Sequence, residues 1–258
     1  MAIPPAPSTA DDNNLLLGNP STATYSIFNN YLMVKPYYAL SYNKDEGKAN
    51  WVSWHLDIRD LGTTSRQDDF RDDPDLPAIW YHATNTSYNG GGFDRGHNCP
   101  SGDRTATVPM NSSTFLMTNI MPQAPANNQG VWAHLEDSCR LLVQSGKEVF
   151  IICGSYGSGG TGNNGFATTI DNGNITVPSK LWKVIVVLPN GNSDYSRMST
   201  GMRVIAVTMA NDNGVNNNWK QYRTSVDAIE AAIGNNFDLL SNLPQSIQTV
   251  VEARVDNL

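Results

Sequence analysis

Cysteine is scarce. The 258-residue chain has three, Cys99, Cys139 and Cys153, far apart and without a C-x-x-C pair. That spacing excludes a structural zinc motif and leaves an odd thiol if any disulfide forms; one bridge, Cys99–Cys139, stays open. No apolar run reaches eighteen residues, which excludes a helical membrane span. Met1-Ala2-Ile3-Pro4-Pro5-Ala6-Pro7 has neither a basic n-region nor an apolar h-region, so no signal peptide is read there, although a mature secreted chain with an added start Met fits as well. Charge is also sparse, 16% of residues, and acids outnumber bases for a net −7. This argues against the broad basic face of a sequence-reading nucleic-acid binder and predicts weak, salt-sensitive attraction to phosphates. The six glycines of Gly154–Gly165 lack the Lys-Ser/Thr ending of a P-loop, which speaks against a nucleotide cradle there.

What is present suffices for a core: 40% hydrophobic residues, with six Trp, ten Tyr and seven Phe. Residues 1–17, rich in Pro, Ser, Asp and Asn, are expected to be a flexible tether, and 18–258 one domain. Strands are expected over Tyr31–Tyr42 and Asn50–Ile58, joined by a turn at Asn43–Gly47, and then a long loop over 59–92. Phe93–Cys99 and Phe115–Met121 read as strands flanking a polar excursion. A helix follows from about Asn128 to Gln144, with Val131, Trp132, Leu135, Cys139, Leu142 and Val143 at helical spacing and Gly146 closing it. Lys147–Cys153, Leu181–Leu188 and Met202–Met209 extend a central sheet, Gly154–Gly165 is a mobile loop, Ser225–Ile233 an amphipathic helix and Val250–Val255 a short closing element. The expected fold is α+β: a central antiparallel sheet, flanking helices and a strand–strand–helix core.

The densest chemistry lies in Phe93-Asp94-Arg95-Gly96-His97-Asn98-Cys99-Pro100 and, about thirty residues on, Asn127-Asn128-Gln129-Gly130-Val131-Trp132-Ala133-His134-Leu135-Glu136 with Arg140 beyond. An imidazole, with an unperturbed pKa of about 6.5, is the side chain suited to take a proton from water near neutral pH, and His97 is the candidate. His55, His82 and His134 read as structural. Mg²⁺ prefers oxygen and keeps several waters, so one amide oxygen and an outer carboxylate, Asn128 and Glu136, can hold it against a phosphate. Positions 128, 132, 136 and 140 advance by four, which keeps them on one helical stripe. Asn128 at the helix start also has free N–H groups to favour phosphate. It can equally be a plain N-cap, and Glu136–Arg140 an ordinary surface pair. Arg66, Arg95 and Arg140 can each fork onto phosphate oxygens, or Arg95 can be buried against a carboxylate. Asp94 reads as structural, orienting Arg95 or a turn, and Gly96 as a point of close backbone approach. A base, an oxygen ligand, a carboxylate and cations together are what phosphodiester cleavage needs.

Asp94-Arg95-Gly96-His97, with Pro100 and Asp103-Arg104 after it, resembles the signature of the sugar-non-specific DNA/RNA endonucleases, the Serratia-nuclease-like group with a ββα-metal core. Phe115–Gln123 and Asn127–Glu136 resemble the family's next two blocks; Val52–Leu56 and Arg66–Arg71 also resemble it, closest to its cyanobacterial branch. The likeness runs from roughly residue 30 to 240. It implies that His97 is the general base and Asn128 the direct protein ligand of one Mg²⁺, or Mn²⁺. Glu136 would act on the ion through water. Arg66 and Arg140 would contact phosphate, Arg95 would fix the site, and Asn119 and Gln123 would brace it. Products would carry 5′-phosphates. Cys99 and His134 depart from the family's usual residues, and neither touches these roles.

DNA and RNA are the expected substrates of a monomer with no membrane partner; whether a protein inhibitor binds it is open. The expected location is secreted or periplasmic. Two other readings are a hydrolase of smaller phosphodiesters, which an enclosed pocket would favour, and a non-catalytic binding relative, which loss of His97 or Asn128 would have signalled.

Overall fold

The structure, a computed structural model, describes residues 11–234 and 237–258. In chain order, β1 (Tyr31–Val34), β2 (Ala39–Asn43) and β3 (Lys48–Leu56) form a meander. β4 (Asp94–His97), the short helix α1 (Val108–Ser113) and β5 (Ile120–Gln123) come next, followed by helix α2 (Ala133–Gln144). β6 (Lys147–Tyr156) is followed by two small hairpins, β7 (Gly160–Gly162) with β8 (Gly165–Ala167) and β9 (Thr169–Ile170) with β10 (Ile175–Thr176). β11 (Lys180–Pro189), α3 (Asp194–Arg197), β12 (Arg203–Ala210), β13 (Arg223–Thr224), α4 (Val226–Ile233) and α5 (Gln245–Val251) complete the chain.

The main sheet has seven antiparallel strands in the order β1-β2-β3-β6-β11-β12-β13. Its central strands are buried on both faces, which is why they read as nearly continuous apolar runs. The pleat sends alternate residues to opposite cores. Val149, Ile151 and Cys153 of β6, with Leu181 and Ile185 of β11, pack with Trp132, Leu135, Cys139 and Val143 beneath α2. Phe150, Ile152, Trp182, Val184 and Val186 go the other way, against Val226, Ile229 and Val251 of α4 and α5. β4 and β5 pair only with each other, Gly96 opposite Met121 and His97 opposite Ile120, and with α2 they form a strand–strand–helix unit on the first face.

Several expected boundaries move. The single strand over 31–42 is a hairpin, because Pro36 cannot donate to a ladder and Lys35 N–H closes a turn on Tyr38 O at 2.9 Å. The polar excursion contains α1, whose Thr107 side chain accepts from Met110 N–H, with Pro109 in the first turn. Phe115–Met121 is therefore mostly not strand; a 3₁₀ turn at Met117–Asn119 precedes β5. The glycine-rich stretch is not one loop: β6 runs to Tyr156, and Gly165, at φ +90°, turns the β7–β8 hairpin. The last element is α5, ahead of the expected 250–255. Of the tether, residues 1–10 lie outside the described part; Leu15, Leu16 and Leu17 are buried in the second core, so folding starts before residue 18. Cys99, Cys139 and Cys153 are buried and free, and the Cys99–Cys139 bridge does not form. Among the described residues no helix is long and apolar enough to cross a membrane.

Candidate active site

His97 ends β4 at the floor of a cleft of about 270 Å³ lined by Arg66, Arg95, His97, Pro100, Ser101, Gly102, Asn128, Glu136 and Arg140. Its ring packs edge-on against Phe115, with centroids 5.0 Å apart, and near Phe70 at 5.5 Å. Nε2 is buried and has no hydrogen-bond partner among the described residues. Burial, then the charges of Arg66 and Arg95, push the imidazole down to about 3, so it is neutral at any physiological pH.

Asn128 reaches the same cleft from the first turns of the helix, which are π-helical over Asn127–Trp132 before α2 begins. Its Nδ2 donates to Asp94 Oδ2 at 2.8 Å, as does Gln129 Nε2 at 2.8 Å. Asp94 therefore orients Asn128 rather than Arg95. With the amide nitrogen held there, Asn128 Oδ1 accepts no hydrogen bond from the described residues. The N-cap reading and the free N–H reading both fall away, since Asn128 N–H donates to Ala124 O at 2.9 Å inside the helix.

The braces sit behind. Cys99 N–H donates to Asn119 Oδ1 at 2.9 Å, and Asn119 Nδ2 donates to Cys99 O and Thr114 O, both at 2.8 Å. Gln123 Nε2 donates to Asn127 Oδ1 at 2.8 Å while its side chain crosses under Gly96, where an added Cβ would lie 2.6 Å from Gln123 Cβ. This is the close approach read from the sequence. Gly96→Ala is expected to destabilise the protein by about 1–3 kcal/mol, the usual cost of overpacking; a denaturant midpoint equal to the parent's would refute the contact.

Charge in the cleft is arranged in pairs. The Glu136 carboxylate is 13% exposed and lies 3.6 Å from Lys183 Nζ, not against Arg140. Burial pushes the Glu136 carboxyl up, while Lys183 opposes that. Arg140 instead donates to Asp103 at 2.8 Å and Asp137 at 2.6 Å. Asp103 is itself held by Trp54 Nε1 at 3.0 Å. Arg66 donates to Ser101 Oγ and Asp68 and lies 4.8 Å over Phe115. Arg95 is exposed and pairs with no carboxylate among the described residues; it lies 4.1 Å over the Phe70 ring and donates to Asn85 O. Trp132 packs beneath, with Lys183 Nζ 4.4 Å from its ring. The outer histidines are elsewhere: His55 between Glu148 and Asp12, His82 by Asp72, His134 on Asn217 O.

Residues 20–246 match the sequence pattern of the DNA/RNA non-specific endonucleases. The chain belongs to that family. A nuclease of Nostoc sp. is 49% identical over 95% of this chain and 86% of its own length. Nuclease C1 of Cunninghamella echinulata is 34% identical over 73% of this chain and 75% of its own. The crystal structure of the EndoG/EndoGI complex superposes with a TM-score of 0.73 over 94% of this chain and 96% of that one, at 20% identity, which shows a shared fold. As a family member this chain is a nucleic-acid-hydrolysing enzyme.

For this endonuclease the cleft brings together His97, Asn128, Glu136, Arg66, Arg95 and Arg140. Sequence reasoning missed Lys183 and Ser101, and gave no part to Asp103 or to the aromatic walls Phe70 and Phe115, which it met only within matched blocks. Lys183 had a signal: it is the one charge between Leu181 and Leu188, at a position whose neighbours 181 and 185 face α2.

Proposed function

We propose that this endonuclease is Mg²⁺-dependent, with Mn²⁺ as a substitute, and cleaves DNA and RNA to 5′-phosphate products, His97 acting as general base. The observation that carries this reading is the meeting in one cleft of a neutral imidazole with an unengaged Nε2 and a carboxamide whose oxygen is left open. The ion's preference for oxygen fits Asn128 Oδ1, with Glu136 across the cleft at one remove. When bound, such an ion stabilises negative charge on the reacting phosphate.

The chain's own residues account for the rest. Arg66 and Arg95 present guanidinium groups at the cleft mouth for phosphate oxygens. Neutralising them removes part of the positive field on His97, and the phosphate's own charge acts in the same direction, opposing the charge of a bound cation. Arg140, fixed by Asp103 and Asp137, is oriented before substrate arrives. Contacts to phosphate carry no base identity, which accounts for non-specificity.

The cleft shares Arg66, Arg95 and Asn128 with an adjoining groove of about 500 Å³ that runs past Tyr88, Asn89, Gln129 and Asn163. A continuous groove suits a polymer better than a small phosphodiester. The test is digestion of supercoiled plasmid and of ribosomal RNA with Mg²⁺ or with EDTA. Both substrates should be lost with Mg²⁺ and spared with EDTA. Asn128→Ala is expected to raise the Mg²⁺ needed for half-maximal rate by about tenfold or more. Undiminished cleavage in EDTA would end the metal reading.

A further inference from the structure

Among the described residues, two groups of acidic and histidine side chains outside the cleft have oxygen or nitrogen atoms close enough to share an ion, and they differ in one respect. Asp12, His55, Glu148 and Asp194 already receive cations from the chain: Arg59 pairs with Asp12, and Arg197 with Glu148 and Asp194. Asp227, Glu230 and Glu252 receive none from the described residues, although Glu230 Oε1 accepts from Leu239 N–H at 2.6 Å. One carboxylate oxygen from each lies within 4.8 Å of the other two. Glu252 is 6% exposed, and its Oε1 has no hydrogen-bond partner among the described residues. The charges acting on it, from Glu230, Asp238 and Asp227, are all negative. Arg254, two residues on, is engaged with Thr200 O and Met202 O. A buried, unpartnered carboxylate among like charges is costly unless something positive joins it.

We propose that Asp227, Glu230 and Glu252 bind a calcium ion that ties the start of α4 to the end of α5. The donors are all oxygen, which selects a hard cation over zinc or copper. Calcium takes oxygens at about 2.3–2.6 Å in flexible geometry, so ligand atoms on one ion span up to roughly 5 Å, and magnesium tolerates less spread. The site is at the junction itself: Asp227 N–H donates to Glu252 O at 3.2 Å, where α5 ends. Both helices pack on the sheet face opposite α2, so this site is independent of the cleft and of its proposed mechanism. Without the ion, burial first and the neighbouring acids after it hold Glu252 up near 8; burial likewise holds Glu230 up near 7.

Calcium titration calorimetry on the full chain carrying Asn128→Ala, at pH 7.5 without Mg²⁺, isolates the site from the cleft. One calcium should bind, and adding Glu252→Gln should weaken it by about tenfold or more. Calcium should also raise the melting temperature of the Asn128→Ala chain by roughly 5 °C, with little effect once Glu252 is Gln. Without calcium, the Glu252→Gln chain should melt no lower than its parent, since it removes a carboxyl that burial and its acidic neighbours disfavour; this separates lost binding from lost folding. Plasmid cleavage by Glu252→Gln alone should be unchanged. Equal calcium affinity with and without Glu252 would overturn the proposal. So would an absence of binding together with a melting temperature that rises from pH 8 to pH 6, which would show the acids sharing protons instead.

Discussion

His97→Ala is expected to lower kcat on plasmid DNA by about 10²–10⁴-fold, the range of a positioned general base, while KM changes little because Arg66, Arg95 and Arg140 stay in place. A second readout is independent of activity. The folded imidazole holds its proton only near pH 3, whereas the unfolded chain takes one up below about 6.5. Between these values the unfolded state binds more protons, so His97 makes stability fall as pH falls, by up to about 1.4 kcal/mol per pH unit. Removing the imidazole removes that slope. Urea midpoints of parent and His97→Ala should therefore converge as pH drops from 6.5 to 5. Parallel curves would mean that the ring is solvated in the folded protein. Full cleavage activity in His97→Ala would remove it from the mechanism.

That the sequence placed His97 near Asn128 and Glu136, but not among its walls, follows from distance along the chain. Asp94, Gly96, His97, Asn128, Glu136 and Arg140 fall in two short blocks whose local geometry, a strand end and one helix stripe, follows from spacing. The groups that tune them come from remote segments. Phe70 and Phe115 wall the imidazole from a loop and from the end of α1, and Asp103 reaches Arg140 across 37 residues. Asp94 was assigned to the wrong partner because its contact, Asn128, is 34 residues away. The large sheet was readable where both faces are apolar, as in β6, β11 and β12. It was misread where a single residue decides, as with Pro36 in the first hairpin or Thr107 at the start of α1. Composition also misplaced the end of the tether at residue 17, although the apolar run Leu15-Leu16-Leu17 was there to mark burial.

Lys183→Met should produce the largest change in stability and a second loss of activity, because it leaves Glu136 buried without its counter-charge. Glu136 comes from α2 and Lys183 from β11, so the pair forms only once the helix docks on the sheet. Lys183 is nearly fully buried; burial works to lower its pKa, but Glu136 and nearby acids outweigh it and hold it raised, so the ammonium stays charged. It also rests between the rings of Trp132 and Trp54, at 4.4 and 5.4 Å. Breaking a buried pair by removing one partner costs about 3–5 kcal/mol. The orphaned carboxyl can escape part of that by keeping a proton. Its folded pKa then rises further above its unfolded value, the folded state binds the extra proton, and stability falls as pH rises. The deficit of Lys183→Met should thus be small at pH 5 and largest at pH 8. Activity at neutral pH should fall with it, since a protonated Glu136 offers the cleft no charge. Glu136→Gln added to Lys183→Met should restore much of the stability and none of the activity, which separates a buried pair kept for catalysis from one kept for folding. If Lys183→Met matched the parent in both urea midpoint and cleavage rate at both pH values, the pair would have no part in either.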